Sequence, residues 1–398
     1  MSPFCEAKVH EMPHEFRMVA KTLFGLEGVL ADELRTLGAQ EVQPFNRLVT
    51  FKGGLRLLYR ANLCCRTAIR ILKRIRKFNA DDEKALYAEV RKTDWSRYLD
   101  ETGSLAIDPV VTRSTFANSL YVAQLAKDAI VDQFRERTGA RPAVRLKNPD
   151  LRLNLHMNEN IVSLYLDSSG DSLHRRGYRT ETAIAPMNEV LAAGIIQLSG
   201  WDRASPFADG MCGSGTFVIE AALMARKIPP GAFRKEFGFE RWKDYDPALY
   251  REVFQEATAE EQEKLPFEIV GSDMDAPTVR LAARNVRNAG LENDVRIEFR
   301  PFEEQTPPRG RGMLILNPPY GERIAVRQIN TLYRMIGDTL KKKYAGWAAC
   351  VVSGNPEALD SLGLRPSKVT PLFNGPIECR LLEFQVQPPK QRRSRKDA

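Results

Sequence analysis

The sequence predicts a multidomain α/β chain in which two α+β units precede a domain built on a parallel sheet covered on both faces. Three observations carry this. At 398 residues the chain is longer than one hydrophobic core usually serves. Its first part reads as successive β-α-β units, and from about Thr180 to Val386 short apolar runs alternate with helical stretches. With 43% hydrophobic and 9% aromatic residues the chain can bury enough apolar surface to offset its ordering entropy, which excludes disorder as the main state. No run approaches the roughly 18 apolar residues that a membrane span needs.

The first unit is expected over residues 16–78. Met18 to Thr22 is a short strand. Gly25 to Leu37 repeats Leu26, Val29, Leu30 and Leu34 at helical spacing, and Gly38 stops it. Glu41 to Pro44 and Arg47 to Phe51 make two strands, Gly53-Gly54 a turn, Leu55 to Ala68 a helix and Ile69 to Ile75 a final strand. Two β-α-β units in succession form a ferredoxin-like pattern.

A second unit is expected over residues 79–167. Its clearest element is a helix from Ser119 to Arg137, capped by Asn118, whose Val122, Leu125, Ala126, Ala129, Ile130, Val131 and Phe134 form one stripe. Leu151, Leu153, Leu155 and Met157 alternate with Arg152, Asn154, His156 and Asn158, which predicts a half-buried strand with these four on its polar face. The third unit is expected over residues 168–387. Its strand candidates are Phe207–Asp209, Glu268–Asp273, Arg296–Arg300, Gly312–Leu316 and Trp347–Ser353, and its helices Thr216–Arg226, Pro277–Ala289 and Asn330–Lys343. Ile228 to Leu265 reads as an insertion with its own aromatics, Phe233, Phe237, Phe239, Trp242 and Tyr245. Residues 388–398 carry almost nothing apolar and are expected to form a disordered basic tail, either solubilising or RNA-grasping.

The formal net charge of +8 comes from 59 Lys and Arg against 51 Asp and Glu, and the tail, with five basic residues and one acid, holds about half of it. Distribution matters more. Arg47 to Lys77 contains ten Lys or Arg residues and no Asp or Glu. Such a run is a candidate electrostatic footprint for nucleic acid, and a solvated face of Arg stems over a sheet explains it equally. Six cysteines without a CxxC pair suggest neither a disulfide framework nor zinc, and the polar stretch Met1 to Arg17 does not resemble a secretory signal. A reducing cytoplasm is expected. His156 lacks partners at ligand spacing, and Pro13 between His10 and His14 breaks the helix that a two-histidine site would need, so no metal is expected.

The chemistry concentrates at three strand ends. Asp209-Gly210-Met211-Cys212-Gly213-Ser214-Gly215-Thr216 joins a first parallel strand to a helix, where open α/β sheets bind ligands. A dinucleotide fingerprint would need glycine at Val218, and no Lys-Ser/Thr pair follows as in a phosphate-cradling loop. What remains is the D-x-x-x-G-x-G arrangement of S-adenosylmethionine enzymes. Gly271-Ser272-Asp273-Met274-Asp275 ends the next strand, and the Asp273 carboxylate can accept from a ribose diol, whereas Asp275 is more simply a helix N-cap before Pro277. After the fourth strand comes Leu316-Asn317-Pro318-Pro319-Tyr320-Gly321. An exocyclic amine conjugated to a base is a poor nucleophile. The Asn317 side-chain carbonyl and the Pro318 backbone carbonyl can each accept one of its N–H groups and align the nitrogen lone pair, while Tyr320 offers a ring for a flipped base. Glu322 and Arg323 either add polar contacts or cap the loop.

The runs SGDSLHRRGYR, AIAPMNEVLAAGIIQLSGW, DGMCGSGTFVIEAALMA, GSDMDAPTVRLAARNVRNAGL, LNPPYGER and FNGPIECRL together resemble the RlmL-type bacterial 23S ribosomal RNA guanine-N2 methyltransferases over nearly the whole chain. The resemblance implies a ferredoxin-like domain and a THUMP RNA-binding domain ahead of a Rossmann-like class I methyltransferase domain. It implies that Asp209, Gly213, Gly215 and Asp273, with Met211, Ser214 and Thr216 beside them, hold S-adenosylmethionine. Asn317, Pro318, Pro319 and Tyr320 would form the target-base site. The implied partner is 23S rRNA, naked or in an assembling large subunit, with no membrane, no metal and no implied oligomer. Some members carry a second methyltransferase domain behind the first; the sequence stops at Ala398 without one, so only the guanine-N2 activity carries over.

Two departures stand out. Gly210 replaces the proline that follows the loop aspartate in the family, and Pro301 stands where an aspartate near the end of the third strand would meet adenine. Phe302 stacking on the adenine, or Glu303 accepting from it, are the substitutes expected. The NPPY motif also serves adenine-N6 and protein-glutamine methyltransferases, so the choice of RNA rests on the amino-terminal units. A THUMP-bearing tRNA guanine-N2 methyltransferase and a non-catalytic ribosome-assembly factor are the alternatives.

Overall fold

A computed structural model describes residues 15–116, 118–179, 187–320 and 326–387. His10, His14, Glu322, Arg323 and the basic tail lie outside these. The chain divides into two compact units: the first takes the strand ending at Lys21, Leu30–Leu173 and Glu236–Glu256, the second Thr22–Val29, His174–Lys235 and the residues from Ala257 onward. No helix among the described residues is long and apolar enough to cross a membrane.

The first unit begins with β1 (Phe16–Lys21), α1 (Glu27–Thr36), β2 (Gln40–Phe45), β3 (Leu48–Gly53), α2 (Leu55–Cys64) and β4 (Arg70–Asn79), in the expected succession. It continues through α3 (Glu83–Arg91), β5 (Ser104–Thr112), α4 (Ser119–Thr138), β6 (Ala143–Val144), β7 (Leu151–Asn158) and β8 (Ile161–Asp167). All eight strands form one sheet in the order β2-β3-β1-β4-β8-β7-β5-β6. The ferredoxin-like and second patterns thus share a sheet, joined where β4 pairs with β8 from Leu72↔Asp167 to Asn79↔Ile161 across a bulge between Arg74 and Arg76. Asn154 departs from its expected polar exposure: it is 4% exposed, because Lys21 Nζ donates to its Oδ1 at 2.6 Å.

Part of the insertion, Glu236–Glu256, belongs to this first unit. Phe237 and Phe239 stack at 5.2 Å, Phe239 lies 4.5 Å from the Tyr59 ring of α2, and the Tyr59 hydroxyl accepts from the Asp246 N–H at 3.0 Å. Arg56 pairs with Glu252 and Glu256, and Lys73 pairs with Asp244 while lying over Trp242. Five of the ten basic residues of the run are therefore paired with acids inside their own unit. Arg70 pairs with Asp167, Arg76 with Glu89 and Lys52 with Glu15. A stretch without acids along the chain is not a stretch without acids in space.

The second unit contains α5 (Glu189–Leu198), β9 (Phe207–Asp209), α6 (Thr216–Ala225), the end of α7 (Pro247–Thr258), β10 (Ile269–Asp273), α8 (Ala276–Asn288) and β11 (Val295–Phe299). Then follow β12 (Met313–Leu316), α9 (Val326–Lys343), β13 (Ala348–Ser353), α10 (Pro356–Asp360), β14 (Lys368–Asn374) and β15 (Ile377–Gln385). The sheet order is β11-β10-β9-β12-β13-β15-β14. The first five are parallel, and the β14–β15 hairpin closes the edge antiparallel. β9 and β12 are neighbours though far apart in sequence, because the chain runs outward through β10 and β11 before returning. That reversal opens a crevice beyond their carboxyl ends, the place where open parallel sheets bind ligands.

Candidate active site

A cavity of about 960 Å³ opens at this crevice, a size that accommodates a cofactor (about 300–1,000 Å³ for ligand pockets). Asp209, Gly210, Met211, Gly213, Ser214, Thr216, Asp273, Phe302, Asn317 and Pro319 all line it, so residues scattered over more than a hundred positions converge. Pro318 is buried behind the loop and Tyr320 is half-buried next to it; neither lines the cavity.

The glycine loop is locked by its own backbone. Gly213 and Gly215 adopt φ of +53° and +84°, which only glycine takes without strain. The Gly213 N–H donates to Asp273 Oδ2 at 3.0 Å, the Cys212 N–H donates to the Ser272 carbonyl at 2.9 Å, and the Asn285 amide donates to the Ser214 carbonyl at 3.0 Å. Asp273 Oδ1 accepts from the Asp275 N–H, and Asp275 in turn caps α8 by accepting from the Thr278 N–H, both at 3.0 Å. Asp209 is 1% exposed and accepts from the Met211 N–H at 3.1 Å. Burial, with Asp273 as a smaller like-charged influence, pushes its carboxyl up to about 8. A buried carboxyl without a cationic partner among the described residues fits the cationic amino end of S-adenosylmethionine.

The first departure, Gly210, lies against Phe302, the residue that follows the second, Pro301. A side-chain carbon on Gly210 would stand 2.0 Å from Phe302 Cδ2, so the glycine makes room for the ring. Phe302 is 2% exposed and stacked on Tyr344 at 5.7 Å; it forms cavity wall and core. Met274, which the sequence expectations passed over, is 74% exposed on the cavity lining.

Asn317 follows β12 directly, and its Oδ1 is a buried acceptor without a hydrogen-bond partner among the described residues. Tyr320 is held from the hairpin: Asn374 Nδ2 donates to its hydroxyl at 2.8 Å and Cys379 Sγ donates to it at 3.6 Å. Burial raises its phenol. Asn374 and Cys379 sit in the FNGPIECRL run, to which the sequence alone assigns no role. Arg179, from the RGYR run, pairs with Glu189 at 3.2 Å and donates to Thr216 Oγ1 at 2.7 Å, bracing the cofactor loop.

Comparison with known proteins decides the family. Residues 176–383 match the RMKL-like methyltransferase domain, residues 17–72 the RlmL ferredoxin-like domain and residues 80–167 the THUMP domain. The chain belongs to this methyltransferase family. The methyltransferase is 42% identical over 374 residues to the ribosomal RNA large subunit methyltransferase K/L of Syntrophotalea carbinolica, covering 91% of this chain and 52% of that protein. It is 39% identical over 366 residues to a provisionally named RNA methyltransferase of Synechocystis, covering 91% and 94% respectively. The chain spans about half the length of the K/L relatives it matches. The crystal structure of SMU.472, provisionally assigned as a methyltransferase and complexed with S-adenosylhomocysteine, superposes with a TM-score of 0.86 at 31% identity, over 94% of this chain and 99% of that one. The Rossmann-like fold and the dependence on S-adenosylmethionine expected from the sequence both hold for the family.

Proposed function

We propose that this methyltransferase methylates the exocyclic N2 amine of a guanine in 23S rRNA. The observation that carries the reading is the buried Asn317 Oδ1 on the wall of the cofactor cavity, an acceptor without a hydrogen-bond partner among the described residues. A buried acceptor left unpaired costs about 1–3 kcal/mol, a strain offset when a substrate N–H arrives. When bound, S-adenosylmethionine supplies an electrophilic sulfonium methyl. Asp209 receives its amino end, Asp273 its ribose, and exposed Met274 and Glu303, which line the same cavity, its adenine.

Asn317 Oδ1 and the Pro318 carbonyl each accept one N–H of the target amine and hold its lone pair toward the methyl group. Tyr320, pinned by Asn374, supplies a stacking face for a base flipped from its helix at a cost of a few kcal/mol. Orientation of two bound reactants contributes about 7–11 kcal/mol, and the nitrogen sheds its proton only after it becomes cationic, so no strong base is needed. The ferredoxin-like and THUMP units hold the RNA, naked or in an assembling particle, in the bacterial cytoplasm. The choice of guanine N2 rests on the family resemblance of the six runs taken together over nearly the whole chain, since the NPPY motif alone serves several amine and amide substrates. Mass-spectrometric mapping of ribosomal and transfer RNA from cells with and without the gene tests it. The expected result is loss of one N2-methylguanosine from 23S rRNA alone; a loss confined to tRNA, or none, overturns the assignment.

A further inference from the structure

The eight-stranded sheet of the first unit has a face whose chemistry nothing in the catalytic site uses. Strand register places its residues. Val19 lies opposite Thr50 on one side and Leu72 on the other, Thr50 opposite Gln43, and Arg74 opposite Tyr165. Residues directly opposite, or two apart along a strand, point to the same face, so Arg17, Phe45, Thr50, Arg74 and Tyr165 share one. The other face carries Met18, Ala20, Val49, Phe51 and Ile71, all buried. On the first face these five residues, with Glu41, line a pocket of about 200 Å³. That is smaller than the roughly 300–1,000 Å³ of cofactor-sized sites and suits a single planar ring system.

We propose that this pocket docks one unpaired nucleobase and its phosphate within a single-stranded stretch of the RNA substrate; the inference rests on RNA being the substrate. Three features favour RNA over another occupant. Phe45 is 52% exposed on edge strand β2, an aromatic ring placed where a base can stack. Tyr165 provides a second, half-buried ring at the same pocket. Arg74 forms no ion pair among the described residues, although Lys52, Arg56, Arg70, Lys73 and Arg76 of the same basic run all do. Arg17 gives one nitrogen to Glu41 at 3.0 Å, and Glu41 keeps that guanidinium oriented over the pocket. Stacking rings beside a cation without a carboxylate partner are what a base and its phosphate require.

The test uses the full chain and a fluorescein-labelled single-stranded RNA of about ten nucleotides, with an RNA duplex as comparison. Phe45→Ala should weaken single-strand binding about tenfold with an unchanged salt slope. Arg74→Ala should lower the slope of log K against log salt by about 0.7, and Arg74→Lys should restore it. Both variants should bind S-adenosylhomocysteine as the wild type does. Wild-type binding by Phe45→Ala and Arg74→Ala, or equal losses on duplex and single strand, would overturn the proposal. So would a fall in molar mass by light scattering in Phe45→Ala, which would give the β2 edge to a second copy. Failure here leaves the catalytic reading untouched, because that reading is tested separately, by the mapping of modified RNA and by the activity of Asn317→Ala.

Discussion

Asn317, Tyr320 and Asp209 each show a different way in which a single side chain is set for its task. The Asn317 acceptor is held by the strand end and has no partner among the described residues, so its contribution lies in orienting the amine. Asn317→Ala is expected to lower kcat by about 10²-fold or more with S-adenosylhomocysteine affinity unchanged in calorimetry. Tyr320 is oriented through Asn374, a positioning residue. Asn374→Leu should raise KM for RNA more than it lowers kcat, and Tyr320→Phe, which also loses the tether, should behave alike in steady-state kinetics. Asp209 carries a proton in the folded, cofactor-free protein up to about pH 8, against an ordinary value of 3.8. Between those values the native state binds more protons than the unfolded chain, so its contribution to stability falls as pH rises. Asp209→Asn removes that dependence, and its Tm should decline less than that of the wild type from about pH 5 to about pH 8.

At the scale of elements, the site is made by where strands end and how closely helices approach. The β9–β12 neighbourhood brings Asp209 and Asn317 to one crevice, and the β14–β15 hairpin reaches back to hold Tyr320. α9 packs so closely on the turn after α10 that a side-chain carbon on Gly337 would lie 1.8 Å from the Leu362 carbonyl oxygen. Backbone cannot rotate away as a side chain can. Gly337→Ala is therefore expected to destabilise the second unit by about 1–3 kcal/mol, read by denaturant unfolding. The parallel strands of this unit and its helices α6, α8 and α9 were legible because each combines an apolar run with glycine or proline punctuation, whereas α5, α7 and α10 were not singled out. β14 and β15 were not anticipated. Pro371 falls inside β14, and proline is tolerated there because β14 is an edge strand, a fact that appears only once the sheet order is known. β5, with Asp108-Pro109 in its middle, was hidden for the same local reason and is recognised through its parallel partners β6 and β7.

Across the whole molecule, sequence order and spatial membership part company. Residues 236–256 lie within the methyltransferase span of the sequence yet pack in the first unit around Tyr59. Phe239, fully buried there, should matter more to that unit than to the one whose sequence surrounds it. Phe239→Ala is expected to cost about 3–5 kcal/mol, and hydrogen exchange should show the loss in β4 and α2 while β9 to β13 stay protected. The ion pairs of the insertion are exposed, and such pairs contribute little, so the aromatic cluster carries the docking.

Local patterning by itself determined the parallel-sheet architecture, the ferredoxin-like start, the glycine loop and the NPPY motif, because loop conformations and strand-end chemistry are encoded over five to ten consecutive residues. Tertiary structure alone decided that Phe302 is core beneath Gly210, that half of the basic run is paired with acids elsewhere along the chain, and that Asn374 grips Tyr320. Each of these is a contact between residues distant in sequence, and a charge or a ring acquires its role from the partner that folding brings to it.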